Sequence, residues 1–190
     1  MLKYVMWLAR IMAVLGGLVL SALVVITFVS VFGRALNTLG HSGSLAGIGE
    51  WLIAIGVGPI TGDFELLEAG VAFAIFAFLP ITQLFGSHAT VDIFTSALPR
   101  RANKALIAFW EVVLTAAILL ISARLYEGML DKMQYGETTF LLQFPVWWAY
   151  AGSFVASLSA CLVALYCAFA RVAELLTGRA YMPHSEGASH

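Results

Sequence analysis

One stretch, Gly62 to Asp92, restricts the fold of this chain more than any other. It opens with Asp63, Glu65 and Glu68 and then runs through about twenty mostly apolar residues, enough to cross a bilayer as a helix. An Asp at the N-cap with a Glu just inside suits the positive end of a helix dipole. The stretch closes on a histidine and an aspartate. It therefore predicts one membrane-spanning helix whose two polar ends are not interchangeable.

Composition places the rest of the chain in a membrane as well. Of its 190 residues, 61% are hydrophobic and only 11% are charged, whereas soluble domains carry about 25% charged residues. The net charge of −1 comes without a basic stripe that could bind nucleic-acid phosphates. Cys161 and Cys167 lie in one apolar run on different helix faces, so neither a disulfide nor a metal site is expected. The sequence predicts an all-α integral membrane protein.

Four apolar runs predict a single four-helix membrane domain over residues 1–176. The predicted spans are residues 4–35, 63–86, 102–130 and 145–174. Short interfacial helices are expected in the first and second loops, although the first of these, at residues 44–57, fits a re-entrant helix equally well. The polar tail at 177–190 is predicted to be disordered.

Positive charge predicts the orientation. Seven Lys and Arg residues belong to the N-terminus, the second loop and the tail, against three in the first and third loops. Because cytoplasmic segments carry the excess of Lys and Arg, both termini are expected inside. The acids that open the second span then face outward, and His88 and Asp92 face inward.

Small residues recur every fourth position in the fourth span and, over a shorter length, in the first. Such stripes allow close helix–helix contact in membranes, so these faces are expected to lie against other helices. The residues are Gly152, Ala156, Ala160, Ala164 and Ala168 in the fourth span, and Ala13, Gly17 and Ser21 in the first.

Few residues could carry chemistry. Glu111, in the third span, has two interpretations. It is a proton or cation site, or it is a carboxylate that faces a partner helix or snorkels to the membrane surface. The lack of a second acid or His at its depth favours the second interpretation. Arg124 and Glu127 are spaced to pair with each other or with the loop. His88 and Asp92 can share a helical face, but two ligands do not make a metal site. With no nucleophile, phosphate-loop or metalloprotease motif in the sequence, neither an enzyme nor a cofactor is predicted.

Several motifs resemble, in their order and spacing, those of a known family. They are GDFELLE at 62–68, FLP at 78–80, His88 with Val91-Asp92, Leu98-Pro99 before the basic cluster, GETT at 136–139, and FPVWW at 144–148 followed by Tyr150. Together they resemble the small, DctQ-type membrane subunit of tripartite ATP-independent periplasmic (TRAP) transporters. The resemblance runs from the first span to the fourth, and the glycine-rich segment between Asn37 and Gly62 departs from it.

The resemblance implies a division of labour in the bacterial inner membrane. A periplasmic substrate-binding protein would deliver an organic acid to a large, elevator-type subunit that holds the substrate and sodium sites. The present chain would be the scaffold that clamps the large subunit, with no substrate, metal or catalytic site of its own. The candidates for family-motif or subunit-interface residues are Asp63, Glu65, Glu68, Pro80, His88, Asp92, Glu111, Pro145, Trp147 and Trp148.

Two other functions compete with the scaffold. A self-assembling channel or small exporter would form homo-oligomers and conduct ions alone, which the lack of a second deep charge beside Glu111 disfavours. A membrane anchor of a respiratory complex is the other alternative, although the four histidines lie in predicted loops or the tail and so could not ligate a haem within the spans.

Overall fold

The computed structural model describes residues 2–41, 58, 60–86 and 100–177. They form four helices: α1 at Leu2–His41, α2 at Asp63–Phe85, α3 at Arg100–Tyr135 and α4 at Trp147–Thr177. All four contain a stretch long and apolar enough to span a membrane. The predicted all-α fold with four spans is confirmed. The predicted inward orientation of the termini stays a prediction, and residues 44–57, the second-loop surface helix and the tail beyond Thr177 lie outside the described residues.

Helix α2 is bounded by two glycines in the left-handed conformation. Gly62 is the N-cap residue, with φ 78°, and Gly86 is the C-cap residue, with φ 61°. The expectation of Asp63 at the cap is therefore wrong by one position, because only a glycine adopts this φ without strain. Pro80 is buried within the helix, which continues through it to Phe85.

The helices lie side by side in the order α1, α2, α4, α3. Extensive contacts join α1 to α2, α2 to α4, and α4 to α3, whereas α1 contacts α4 only to a minor extent. Helix α1 runs antiparallel to α2, and α3 antiparallel to α4, while α2 and α4 run parallel. The described part of the chain is thus an open row and not a closed four-helix bundle. We call its ends the hairpin end, where α2 and α4 begin beside the hairpin loop at residues 136–146, and the Glu111 end, where they finish.

Small residues bring the helices of the row together. Ala156, Ala160 and Ala164 of α4 are almost fully buried against the neighbouring helices, so this predicted stripe does face other helices, within the same chain. The stripe on α1 behaves differently, because a Cβ added at Gly17 would meet nothing within 4 Å. Its neighbour Gly16 faces α2 instead, where a Cβ would lie 3.0 Å from that of Ala77.

Candidate functional site: a docked hairpin and two polar clusters

A short hairpin at residues 136–146 connects α3 to α4. Thr138 and Pro145 form an isolated antiparallel bridge, and the Thr139 amide donates to the Phe144 carbonyl at 2.9 Å. At the base of the hairpin, Lys132 Nζ lies 2.7 Å from a carboxylate oxygen of Glu137. Backbone pairing and this ion pair give a loop of eleven residues a defined shape.

The hairpin folds over the first turn of α2. The Glu65 carboxylate accepts hydrogen bonds from the backbone amides of Leu141 and Leu142, at 2.6 and 2.9 Å, one to each oxygen. A Cβ at Gly62 would collide with the Leu142 side chain, so glycine is required there both by its φ and by this close approach. Phe140, at the tip, stays 87% exposed. Glu65 therefore docks the hairpin and holds its tip in place.

A polar cluster ties the end of α1 to the start of α2. Ser30, which is fully buried, donates to Asp63 Oδ2 at 2.6 Å and accepts from the Ile60 amide at 3.3 Å. Arg34 Nη2 lies 3.8 Å from the same carboxylate oxygen, and Asp63 Oδ1 accepts from the Phe64 amide. The carboxylate thus satisfies the first turn of α2 and also joins two helices.

A second polar cluster lies inside the row at the Glu111 end. Gln83 Nε2 of α2 donates to Glu111 Oε1 of α3 at 2.7 Å, and both side chains are buried. Thr115, one turn along α3, donates to the carbonyls of Glu111 and of Ala164 on α4. Glu111 therefore faces partner helices of the same chain, which is the interpretation that its isolation in the sequence favoured.

Charged residues also mark the helix surfaces. Arg124 and Glu127 form the expected ion pair on α3, at 2.7 Å, and they are 75% and 60% exposed. On α4, Arg171 pairs with Glu174 at 3.1 Å. Arg171 Nη2 also lies beside Gly86, at the end of α2, where a cation complements the helix dipole.

The structure brings some of the predicted residues together and separates others. Glu65 and Pro145 belong to the docked hairpin, Asp63 belongs to the nearby cluster that joins α1 to α2, and Glu111 belongs to the cluster at the opposite end. Trp147 and Trp148 open α4 as an edge-to-face pair with centroids 6.2 Å apart. The other predicted residues are Glu68, which is exposed, Pro80, which is buried in α2, and His88 and Asp92, which lie outside the described residues.

Sequence reasoning missed Ser30 and Gln83, the partners of two predicted acids. Gln83 carried a signal, because an amide within an apolar span needs a hydrogen-bond partner. Gln83 is neither an acid nor a histidine, the two residue types expected to accompany Glu111 in an ion site. Ser30 carried no comparable signal, since serine satisfies itself on helix carbonyls in many contexts.

Comparison with protein families identifies the family of this chain. The family model described as "Tripartite ATP-independent periplasmic transporters, DctQ component" matches residues 23–177. The chain belongs to the DctQ family. Its matched region contains the docked hairpin, the Asp63 cluster and the Gln83–Glu111 pair. No curated protein and no solved structure gives a significant match to the chain.

The family match establishes this protein as the small membrane subunit of a TRAP transporter, a component of a transport system. It confirms the resemblance found in the motifs. Together with the four apolar helices, it makes the chain a multi-pass membrane protein.

Proposed function

We propose that this DctQ subunit is the scaffold of a sodium-coupled organic-acid importer in the bacterial inner membrane. It holds the large, elevator-type subunit in the bilayer and forms part of the surface that receives the periplasmic substrate-binding protein. Sodium and substrate bind in the large subunit and not in this chain.

The observation that supports a scaffold is what three acidic side chains bind. Asp63 binds Ser30 and the backbone, Glu65 binds backbone amides, and Glu111 binds Gln83. Each of these contacts joins two segments of the chain. Asp63 and Gln83 are twenty residues apart on α2, or about 30 Å at 1.5 Å per residue. In the described part of the chain, the Asp63 cluster and the Gln83–Glu111 cluster each hold helices together, and a mostly apolar stretch separates them. An ion relay would need polar groups along that stretch, so the arrangement suits a rigid support better.

The open row supports the same proposal. Helix α3 rests on α4, and α1 rests mainly on α2, so both outer helices present long apolar faces. The unoccupied stripe at Gly17 and Ser21 on α1 would let a helix of the large subunit approach closely.

Native purification and uptake test the proposal together. The tagged subunit, extracted from native membranes in mild detergent, should co-purify with a much larger multi-span protein identified by mass. Deletion of either gene should abolish sodium-driven uptake of an organic acid, and re-expression of the missing gene should restore it. A stable lone subunit, with uptake surviving its deletion, would contradict the scaffold. Ion flux from the purified subunit alone in vesicles would instead favour a channel.

A further inference from the structure

The lipid-facing belt of this protein can be located from its charged residues. On α1, Arg10 and Arg34 bound an apolar segment at residues 11–33, about 35 Å long at 1.5 Å per residue. On α3, Lys104 and Arg124 bound a segment at residues 105–123, about 28 Å long, whose one acid, Glu111, is buried. All four cations are exposed. Each segment matches the hydrocarbon core of a bilayer, which is about 30 Å thick.

The two segments are not at the same height in the row. A Cβ at Gly70 of α2 would lie 2.7 Å from Leu23, which is at the middle of the α1 segment. Phe73, three residues further along α2, borders Gly152 of α4, so Leu23 is level with the turn of α4 just before Gly152. That turn contains Tyr150, whose ring borders Gly128 of α3.

The middle of the α1 segment is therefore level with Gly128, which lies beyond the end of the α3 segment. Gly128 is four residues past Arg124 and next to Glu127. The middle of the α3 segment is Leu114, fourteen residues earlier in the sequence, which corresponds to about 21 Å along the helix. At the hairpin end, the apolar surface of α1 thus extends much further than that of α3.

The Glu111 end shows the same displacement. Ala9 packs against Leu84 of α2, and the neighbouring Gln83 binds Glu111 of α3. Arg10 is therefore approximately level with Glu111. Lys104 lies seven residues further out, or about 10 Å. Both limits of the apolar belt are shifted in the same direction from α1 to α3.

We propose that this belt is oblique and that the row of helices sits in the bilayer inclined by about 30° to the membrane normal, within the plane of the row. Four helices in a row span three spacings of about 8–10 Å, or about 24–30 Å. A shift of about 10–20 Å over that width corresponds to a slope of about 20–40°. Transmembrane helices tilt by about 20° on average, within a range of about 0–40°.

An upright row would place charge in lipid. With the α1 segment centred in the bilayer, the exposed Arg124–Glu127 pair would lie near the hydrocarbon midplane, where charged side chains are strongly disfavoured. Tilting brings this pair to the interface and projects the last turns of α3, together with the hairpin, out of the lipid. The apolar belt is therefore in contact with the hydrocarbon core of the bilayer.

A depth scan of the full chain in phospholipid vesicles tests the tilt. Single nitroxide labels are placed in a background in which the buried Cys161 and Cys167 are replaced by alanine, with helicity and monodispersity checked for each variant. Collisions with oxygen and with a water-soluble nickel chelate then report the depth of each label. The exposed positions to be labelled are Val14, Leu18, Ala22, Val25 and Val29 on α1, and Phe109, Val113, Ala117, Leu120 and Ala123 on α3.

The deepest label should be near Ala22 on α1 and near Val113 or Ala117 on α3, with Ala123 close to the surface. Polarised infrared dichroism of oriented bilayers should give a mean helix inclination of about 30°, within the range that membrane helices show. An upright row predicts instead that depth keeps increasing along α3 through Ala123, and that the dichroism gives an inclination below about 10°. Either of these results would overturn the proposal.

Discussion

The buried Gln83–Glu111 pair provides the sharpest test of how the row is held together. Its 2.7 Å hydrogen bond links α2 to α3. These two helices are not main packing partners, because α2 packs on α1 and α4, and α3 packs on α4. Hydrogen bonds to charged groups contribute about 1.5–3 kcal/mol in soluble proteins, whereas interhelical bonds in a membrane protein average about 0.6 and reach about 1.7 kcal/mol. Because this bond is short and buried, we expect a coupling energy of about 1–2 kcal/mol.

A double-mutant cycle measures that coupling. Gln83→Leu and Glu111→Leu each leave a buried polar group with one bond fewer, so each should lower the free energy of unfolding by about 1–3 kcal/mol. The double variant replaces both partners by apolar groups, so its loss should be smaller than the sum of the two. The assay is SDS titration of the purified subunit in mixed micelles, followed by circular dichroism.

The control is Ser122→Ala, which removes a neutral contact to Cys161 Sγ at 3.1 Å between α3 and α4. We expect that variant to stay within about 1 kcal/mol of the wild type. If the sum of the losses of the two single variants equals the loss of the double variant to within about 0.5 kcal/mol, the pair does not couple the helices and the reasoning is refuted.

Four further substitutions test the docked hairpin and the two faces of α1. Glu65→Ala should release the hairpin, so hydrogen exchange at the Leu141 amide should become several-fold faster while the melting temperature of the four helices changes little; unchanged exchange would contradict the docking. Gly62→Ala should destabilise the protein by about 1–3 kcal/mol, because it imposes a left-handed φ on alanine and displaces a hairpin leucine. Gly16→Leu should cost about 1–3 kcal/mol by overpacking, whereas Gly17→Leu should stay within about 0.5 kcal/mol; equal losses in thermal melts would mean that α1 lacks two distinct faces.

Much of the fold could be predicted from hydropathy alone, because a span needs only length and apolar composition. The neighbours of each helix could not, since most faces of a membrane helix are apolar whether they meet lipid or protein. The stripe through Ala156 and Ala160 was correctly expected to face helices, and the pattern could not distinguish helices of the same chain from those of a partner. At Gly17 in the similar stripe on α1, no described residue of this chain packs against the helix.

The candidate site was predictable in its residues and not in its contacts. Acids at the start of α2 were recognised as helix-end residues, but the partners of Glu65 are backbone amides 76 and 77 positions away. Any sequence supplies backbone amides, so no pattern could point to Leu141 and Leu142. The Gln83–Glu111 pair was predictable in principle, because a buried amide in an apolar span needs a partner as much as a carboxylate does.

The side-by-side order of the helices has a consequence for biogenesis. Helices α1 and α2 form one antiparallel pair and α3 and α4 another, and the two pairs meet mainly where α2 lies against α4. We expect each pair to enter the membrane as a separate unit and the two pairs then to associate laterally in the lipid. A gene divided between the codons for Phe85 and Arg100 should therefore yield two fragments that find each other in the membrane.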